Sequence, residues 1–127
     1  MKYKEYELQK SICKWLDLQN PKVLYMSDTV ASVKLTIPKQ VRNKAIQKQG
    51  FKCPDLIIFQ SNSEYHGLFL ELKITSPYKK DGSLKKDEHL EAQQKTINDL
   101  KLKGYLALFC WDFETAINTI TDYLNKV

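Results

Sequence analysis

Pro54-Asp55-Leu56-Ile57-Ile58-Phe59, followed after a polar turn by Gly67-Leu68-Phe69-Leu70-Glu71-Leu72-Lys73, is the stretch that decides how this chain is read. Each arm is a short apolar run, and Ser61-Asn62-Ser63-Glu64 between them has the composition of a turn, so the segment reads as a hairpin. With the tip centred on Ser63, positions 55 and 71 are equally far from it and face each other. Strand side chains alternate with a period of two, so Asp55, Glu71 and Lys73 share one face. Opposed like charges are unfavourable unless a cation lies between them, and hard divalent cations are held by carboxylate oxygens. The arrangement points to a metal site with a lysine beside it.

Upstream, residues 4–18 carry Leu8, Ile12, Trp15 and Leu16 at helical spacing, with Cys13 on the edge of that face. Glu5 projects near the middle of the same face and Gln9 beside it. The plain alternative for Glu5 is an exposed first-turn carboxylate favoured by the helix dipole. Asn20-Pro21 ends the helix, and Val23-Leu24-Tyr25-Met26 reads as a strand. Ser27 to Thr36 reads as loop. Pro38 could open a second helix from Lys39 to Gln49, closed by Gly50 and mostly polar, with Val41, Ala45 and Ile46 to bury.

Downstream, Thr75 to Lys86 contains Pro77, Asp81-Gly82 and four lysines, and reads as a mobile, turn-rich loop. Asp87 is a candidate N-cap for a third helix ending at Gly104. Leu90, Ile97 and Leu100 mark its buried face, and Gln93 falls within that face, where a polar amide needs a hydrogen-bond partner. Tyr105 to Cys110 reads as a buried strand, and the span from Lys73 leaves room for a crossover helix and parallel pairing. A last helix from Phe113 to Asn125 presents Ala116, Ile117, Ile120, Tyr123 and Leu124 on one side. The expected fold is α/β, a mixed sheet with helices packed on it.

At 127 residues, 43% of them apolar, the chain fits one domain spanning 1–127 with its own core. No apolar run is long enough to span a bilayer and the start lacks a signal-peptide pattern, so the expectation is an intracellular protein with no membrane partner. Cys13, Cys53 and Cys110, odd in number and widely spaced, fit reduced, mostly buried thiols better than a disulfide framework or zinc site. Lysine and arginine total 20 against 15 acids, a net charge of +5. That excess is modest, so its placement matters more than its size. Lys39, Arg42, Lys44 and Lys48 fall in one segment, and Lys79, Lys80, Lys85 and Lys86 in another. Both are candidate nucleic-acid contacts, and a solvated surface is the plain alternative.

Pro-Asp, then Glu-x-Lys on a neighbouring strand, with Glu5 on a preceding helix and Gln93 on a following one, resembles the PD-(D/E)xK nuclease superfamily. Within it the likeness is to the VRR-NUC group, known from phage and bacterial proteins and as a module of larger DNA-repair nucleases. The matching pieces are Glu5-x3-Gln9 leading into Trp15-Leu16, Gly50-x3-Pro54-Asp55-Leu56-Ile57, Gly67 to Lys73, and Gln93 followed by Gly104-Tyr105. Members often read Gly-x-Pro-Asp where Lys52-Cys53-Pro54-Asp55 stands here, a departure that removes no ligand.

The resemblance implies a restriction-endonuclease-like core in the order α-β-β-β-α-β-α and a DNA endonuclease dependent on Mg²⁺ or Mn²⁺, selective for branched or junction DNA. Asp55 and Glu71 would hold the metal, with the Leu72 carbonyl and Glu5, directly or through water, completing the shell. Lys73 would orient or deprotonate the attacking water or neutralise developing charge, and Gln93 would position Lys73 or the scissile phosphate. A homodimer is implied as well, since cutting both strands of a junction takes two active sites. The setting would be the cytoplasm of a bacterial host, with a phage-encoded gene as one origin. Two other readings compete: a catalytically silent DNA-binding module of the same fold, and a structural ion pair of Lys73 with the two acids in an unrelated domain.

Overall fold

The computed structural model describes residues 2–27 and 35–127. Helix α1 (Lys2–Gln19) leads through a turn, in which the Val23 N–H donates to the Asn20 carbonyl, into strand β1 (Tyr25–Ser27). That turn consumes the residues in front of Tyr25, so β1 starts later than its apolar run. Of the stretch read as loop, residues 28–34 lie outside the described ones. Helix α2 (Ile37–Ala45) follows, with Pro38 in its first turn. It stops short of the expected Gln49: the Ile46 N–H bonds back to the Asn43 carbonyl and the Gln47 N–H to the Lys44 carbonyl, and no α2 residue is buried. A short helix with nothing to pack against has little to sustain a last turn. The α2 insertion also lengthens the expected order to α-β-α-β-β-α-β-α.

The hairpin forms as the sequence predicts. Strand β2 (Leu56–Ile58) pairs antiparallel with β3 (Leu68–Leu72) in the register Leu56↔Leu70, Ile57↔Phe69, Ile58↔Leu68. Extended by one residue, that ladder sets Asp55 opposite Glu71. At the tip, the Asn62 Oδ1 accepts the N–H groups of Glu64 and Tyr65, both at 2.8 Å. The side-chain amide of Asn62 in turn donates to the Tyr123 carbonyl, tying the turn to the last helix.

Helix α3 (Glu88–Leu102) crosses back to strand β4 (Leu106–Cys110), which lies parallel to β3, and helix α4 (Phe113–Asn125) closes the described chain. The mixed sheet has the order β1-β2-β3-β4. Asp87 caps α3 by accepting from the His89 and Leu90 N–H groups, and Asp112 caps α4 by accepting from Thr115. At the other end of α3, Gly104 takes φ +91° while the Tyr105 and Gly104 N–H groups reach back to Leu100 and Lys101. This is the Schellman arrangement, and it aims the chain directly into β4.

Strand alternation sorts the core into two layers. Leu56, Ile58, Leu68, Leu70, Leu72 and Cys110 face α1 and α4, where Ile12, Leu16, Ala116, Ile120 and Tyr123 cover them. Phe69, Ala107 and Phe109 face the other way, against Ile97 and Leu100 of α3. Helices therefore flank both faces of the sheet. Glu71 and Lys73 have the parity of Phe69, so they belong to the α3 face.

The segment expected as a mobile loop closes into a small hairpin. Tyr78 pairs with Leu84, the Lys79 N–H donates to the Ser83 carbonyl at 2.7 Å, and the Lys85 N–H donates to the Pro77 carbonyl. Tyr78 packs edge-on against both Phe109 and Trp111. Two apolar side chains suffice here because they plug into a core layer that already exists. No disulfide forms: Cys110 is buried and Cys13 and Cys53 only partly so. Burial pushes the Cys110 thiol up to about 11, which makes it a poor nucleophile.

Candidate active site

Asp55 is anchored from two directions. Its Oδ2 accepts the Leu72 N–H at 2.8 Å, a bond from the strand that carries Glu71. Its backbone carbonyl accepts from the Ser27 hydroxyl at 3.2 Å and from the Gln9 amide at 3.3 Å, and Gln9 also donates to Ser27. Helix α1, strand β1 and strand β3 thus converge on one residue.

Glu71 is only 4% exposed. Burial, a hydrogen bond with Asp55 and the Asp55 charge, in that order, push its carboxyl from 4.5 up to about 10; Lys73 opposes the shift and Glu5 adds to it. Glu71 thus holds its proton, because a carboxyl in a dry site beside another negative charge resists ionising. A divalent cation in place of that proton would supply the same compensation, and the donor set fits one: two carboxylates, with the backbone carbonyl of Leu72 beside them. Among the described residues, no three His, Cys, Asp or Glu side chains come together as a metal cluster. Glu5 acts on Glu71 through its charge, and magnesium held by one or two carboxylates keeps several waters of its own.

Lys73, half-buried at the end of β3, takes part in neither ion pair formed by the described residues, Lys95–Asp99 and Lys126–Glu64. A structural ion pair with Asp55 or Glu71 is therefore not what holds it. Gln93 faces the sheet from α3 and is 6% exposed. It is not hydrogen-bonded to Lys73: its Nε2 lies 3.1 Å from the His89 Nε2, and its buried Oε1 has no partner among the described residues. An unpartnered acceptor on the face of the two acids is available to a donor arriving with a ligand.

Three contributors received no role in the sequence reading. Gln9 and Ser27 hold the Asp55 carbonyl, and Thr96, buried one turn after Gln93, accepts the Lys52 N–H through its Oγ1 at 2.9 Å. Only Gln9 carried a signal, sitting one turn beyond Glu5. The Thr96 bond ties α3 to the segment that leads into Asp55. Thr96→Val is expected to cost about 1 kcal/mol, the worth of one hydrogen bond, read as a lower urea midpoint with an unchanged m-value.

The basic candidates divide by setting. Lys39, Arg42 and Lys44 lie on α2 and Lys48 in the turn after it, all exposed, beside Ile37, Val41 and Ile46, which the same segment leaves exposed. Lys79, Lys80, Lys85 and Lys86 lie on or just after the hairpin that packs beneath Phe109.

A solved structure described as a "VRR_NUC domain protein" aligns over 94% of this chain and 87% of its own, with a TM-score of 0.61 and 24% sequence identity. The chain has the VRR-NUC fold. No family model matches it, nor does any curated protein. In this chain the Asp55–Glu71 pair sits where the β2–β3 hairpin meets α1 and β1.

Proposed function

We propose that this protein is a metal-dependent endonuclease that hydrolyses DNA phosphodiester bonds, with a preference for branched or junction DNA. The observation that carries the reading is the buried Glu71 carboxyl against Asp55, with Lys73 two residues along the same face of a VRR-NUC fold. When held by Asp55 and Glu71, Mg²⁺ or Mn²⁺ would supply positive charge to the phosphate and acidify nearby water. Lys73, with no ion-pair partner among the described residues, would orient that water or balance charge on the phosphoryl oxygens. Glu5 adjusts the field around the acids. Gln93 can turn its unpartnered amide oxygen toward Lys73 or a phosphate-bound water.

The bases of α2 and the hairpin would track the DNA backbone. A homodimer belongs to the proposal, closing over the apolar side chains that α2 and the chain around β1 leave exposed, Ile37, Val41, Leu24 and Met26. No helix among the described residues is long and apolar enough to cross a membrane, which is compatible with work in the cytoplasm of a bacterial or phage-infected cell.

The test is cleavage of duplex, flap and four-way DNA with Mg²⁺ or Mn²⁺, alongside binding and solution mass. Metal-dependent cutting supports the reading. Binding to the same panel without cutting would replace it with the silent DNA-binding module. Exchanging Lys79, Lys80, Lys85 and Lys86 for glutamine is expected to weaken binding and to flatten the plot of log affinity against log salt, by up to about 0.9 for each phosphate no longer neutralised. An unchanged slope would remove the hairpin from the interface.

A further inference from the structure

Beside the carboxylate pair lies a cleft of about 120 Å³, lined by Lys73, Thr75, Ser76, Lys85, Leu90 and Glu5, among others. Its walls come from separate parts of the chain: the end of β3, the first residues of the 77–85 hairpin, the start of α3 and the first turn of α1. Of the four hairpin lysines, Lys85 alone lines it. The backbone there is held, because the Lys85 N–H bonds to the buried Pro77 and the neighbouring Leu84 packs into the α3 layer. Ser76 accepts the Tyr78 N–H at 3.1 Å, which leaves its hydroxyl hydrogen to donate.

Two ammonium groups from different elements, together with two hydroxyls lining the same cleft, suit a tetrahedral anion. The one opposing charge is Glu5, and a cation at Asp55–Glu71 would offset it. Because Lys73 borders both the carboxylate pair and the cleft, an anion in the cleft sits next to whatever the pair holds. We propose that this cleft seats the phosphate adjacent to the scissile one, with Lys85 as the specificity-determining contact. The inference rests on the nuclease reading and deepens it: the substrate is a strand gripped at two successive phosphates, and Lys85 acts differently from Lys79, Lys80 and Lys86.

The shortest probe of two neighbouring seats is thymidine 3′,5′-bisphosphate, compared with the 5′- and 3′-monophosphates by calorimetric or NMR titration in Ca²⁺. Linking two phosphates through one nucleoside makes the second contact intramolecular, so the bisphosphate is expected to bind at least about 10-fold more tightly than either monophosphate. Lys85→Gln is expected to erase that advantage and Lys101→Gln, at the exposed far end of α3, to leave it. Equal affinity for mono- and bisphosphate, or equal losses in the two variants, would overturn the inference. The cleavage panel judges the nuclease reading separately. A bisphosphate advantage that depends on Lys85 in a protein that never cuts would keep the seat and remove the catalysis; cutting without that advantage would do the reverse.

Discussion

Lys73→Ala is expected to lower the rate of DNA cleavage by about 100- to 1,000-fold, the usual cost of deleting one group that stabilises charge in a transition state. Affinity for the same DNA in Ca²⁺ and the thermal midpoint should hardly change. Stability is spared because Lys73 is half-buried and joins neither ion pair formed by the described residues. Had it been a structural partner of a buried acid, its removal would strand that charge at a cost of roughly 3–5 kcal/mol. Rate and melting temperature together therefore separate the two roles. A variant that melts early and still cuts would refute the catalytic assignment.

Glu71→Gln is expected to make the cation-free protein more stable, not less. In the unfolded chain this carboxyl titrates near 4.5, whereas in the folded one burial holds it far higher. Between those values the folded state keeps a proton that the unfolded chain has released, so stability declines as pH rises. The contribution is fully present below 4.5 and is lost as pH climbs toward about 10. Glutamine has no charge to desolvate and keeps a donor for Asp55. At pH 8 the variant should gain about 2 kcal/mol, a rise in Tm of the order of 8 °C for a domain of this size. Near pH 4 the difference should close. Mg²⁺ or Mn²⁺ should raise the Tm of the wild type at pH 8 and leave the variant's in place. A variant that melts below wild type at pH 8 without metal would mean that the Glu71 carboxylate is structurally paired.

The hairpin register could be read because a polar turn between two apolar runs leaves few ways to centre the tip, and a slip of one residue would move every side chain to the wrong face. Both ends of α3 were equally legible, since Asp87 and Gly104 act through neighbours a few residues away. What escaped depends on distant partners. Gln93 signalled that it needed a hydrogen bond, but not that His89 would take its Nε2 and leave its Oε1 bare. Thr96 looked like any helical threonine, because the Lys52 N–H it accepts comes from 44 residues away. The end of α2 and the closure of the 77–85 hairpin were misjudged for one reason seen from opposite sides. A short segment persists or unwinds according to whether a neighbouring layer receives its apolar side chains, and that layer is not local in sequence.

The bond from the Leu72 N–H to Asp55 has a bearing on the life of the chain before it is finished. It spans the two arms of the hairpin, so neither the acid pair nor its proton exists until β2 and β3 have zipped in the correct phase. A nascent, slipped or partly melted copy would carry every residue of the site without the site itself. On the proposed nuclease reading, the capacity to cut would arise only once the hairpin register is set, a safeguard for any cell that must synthesise such a protein next to its own chromosome.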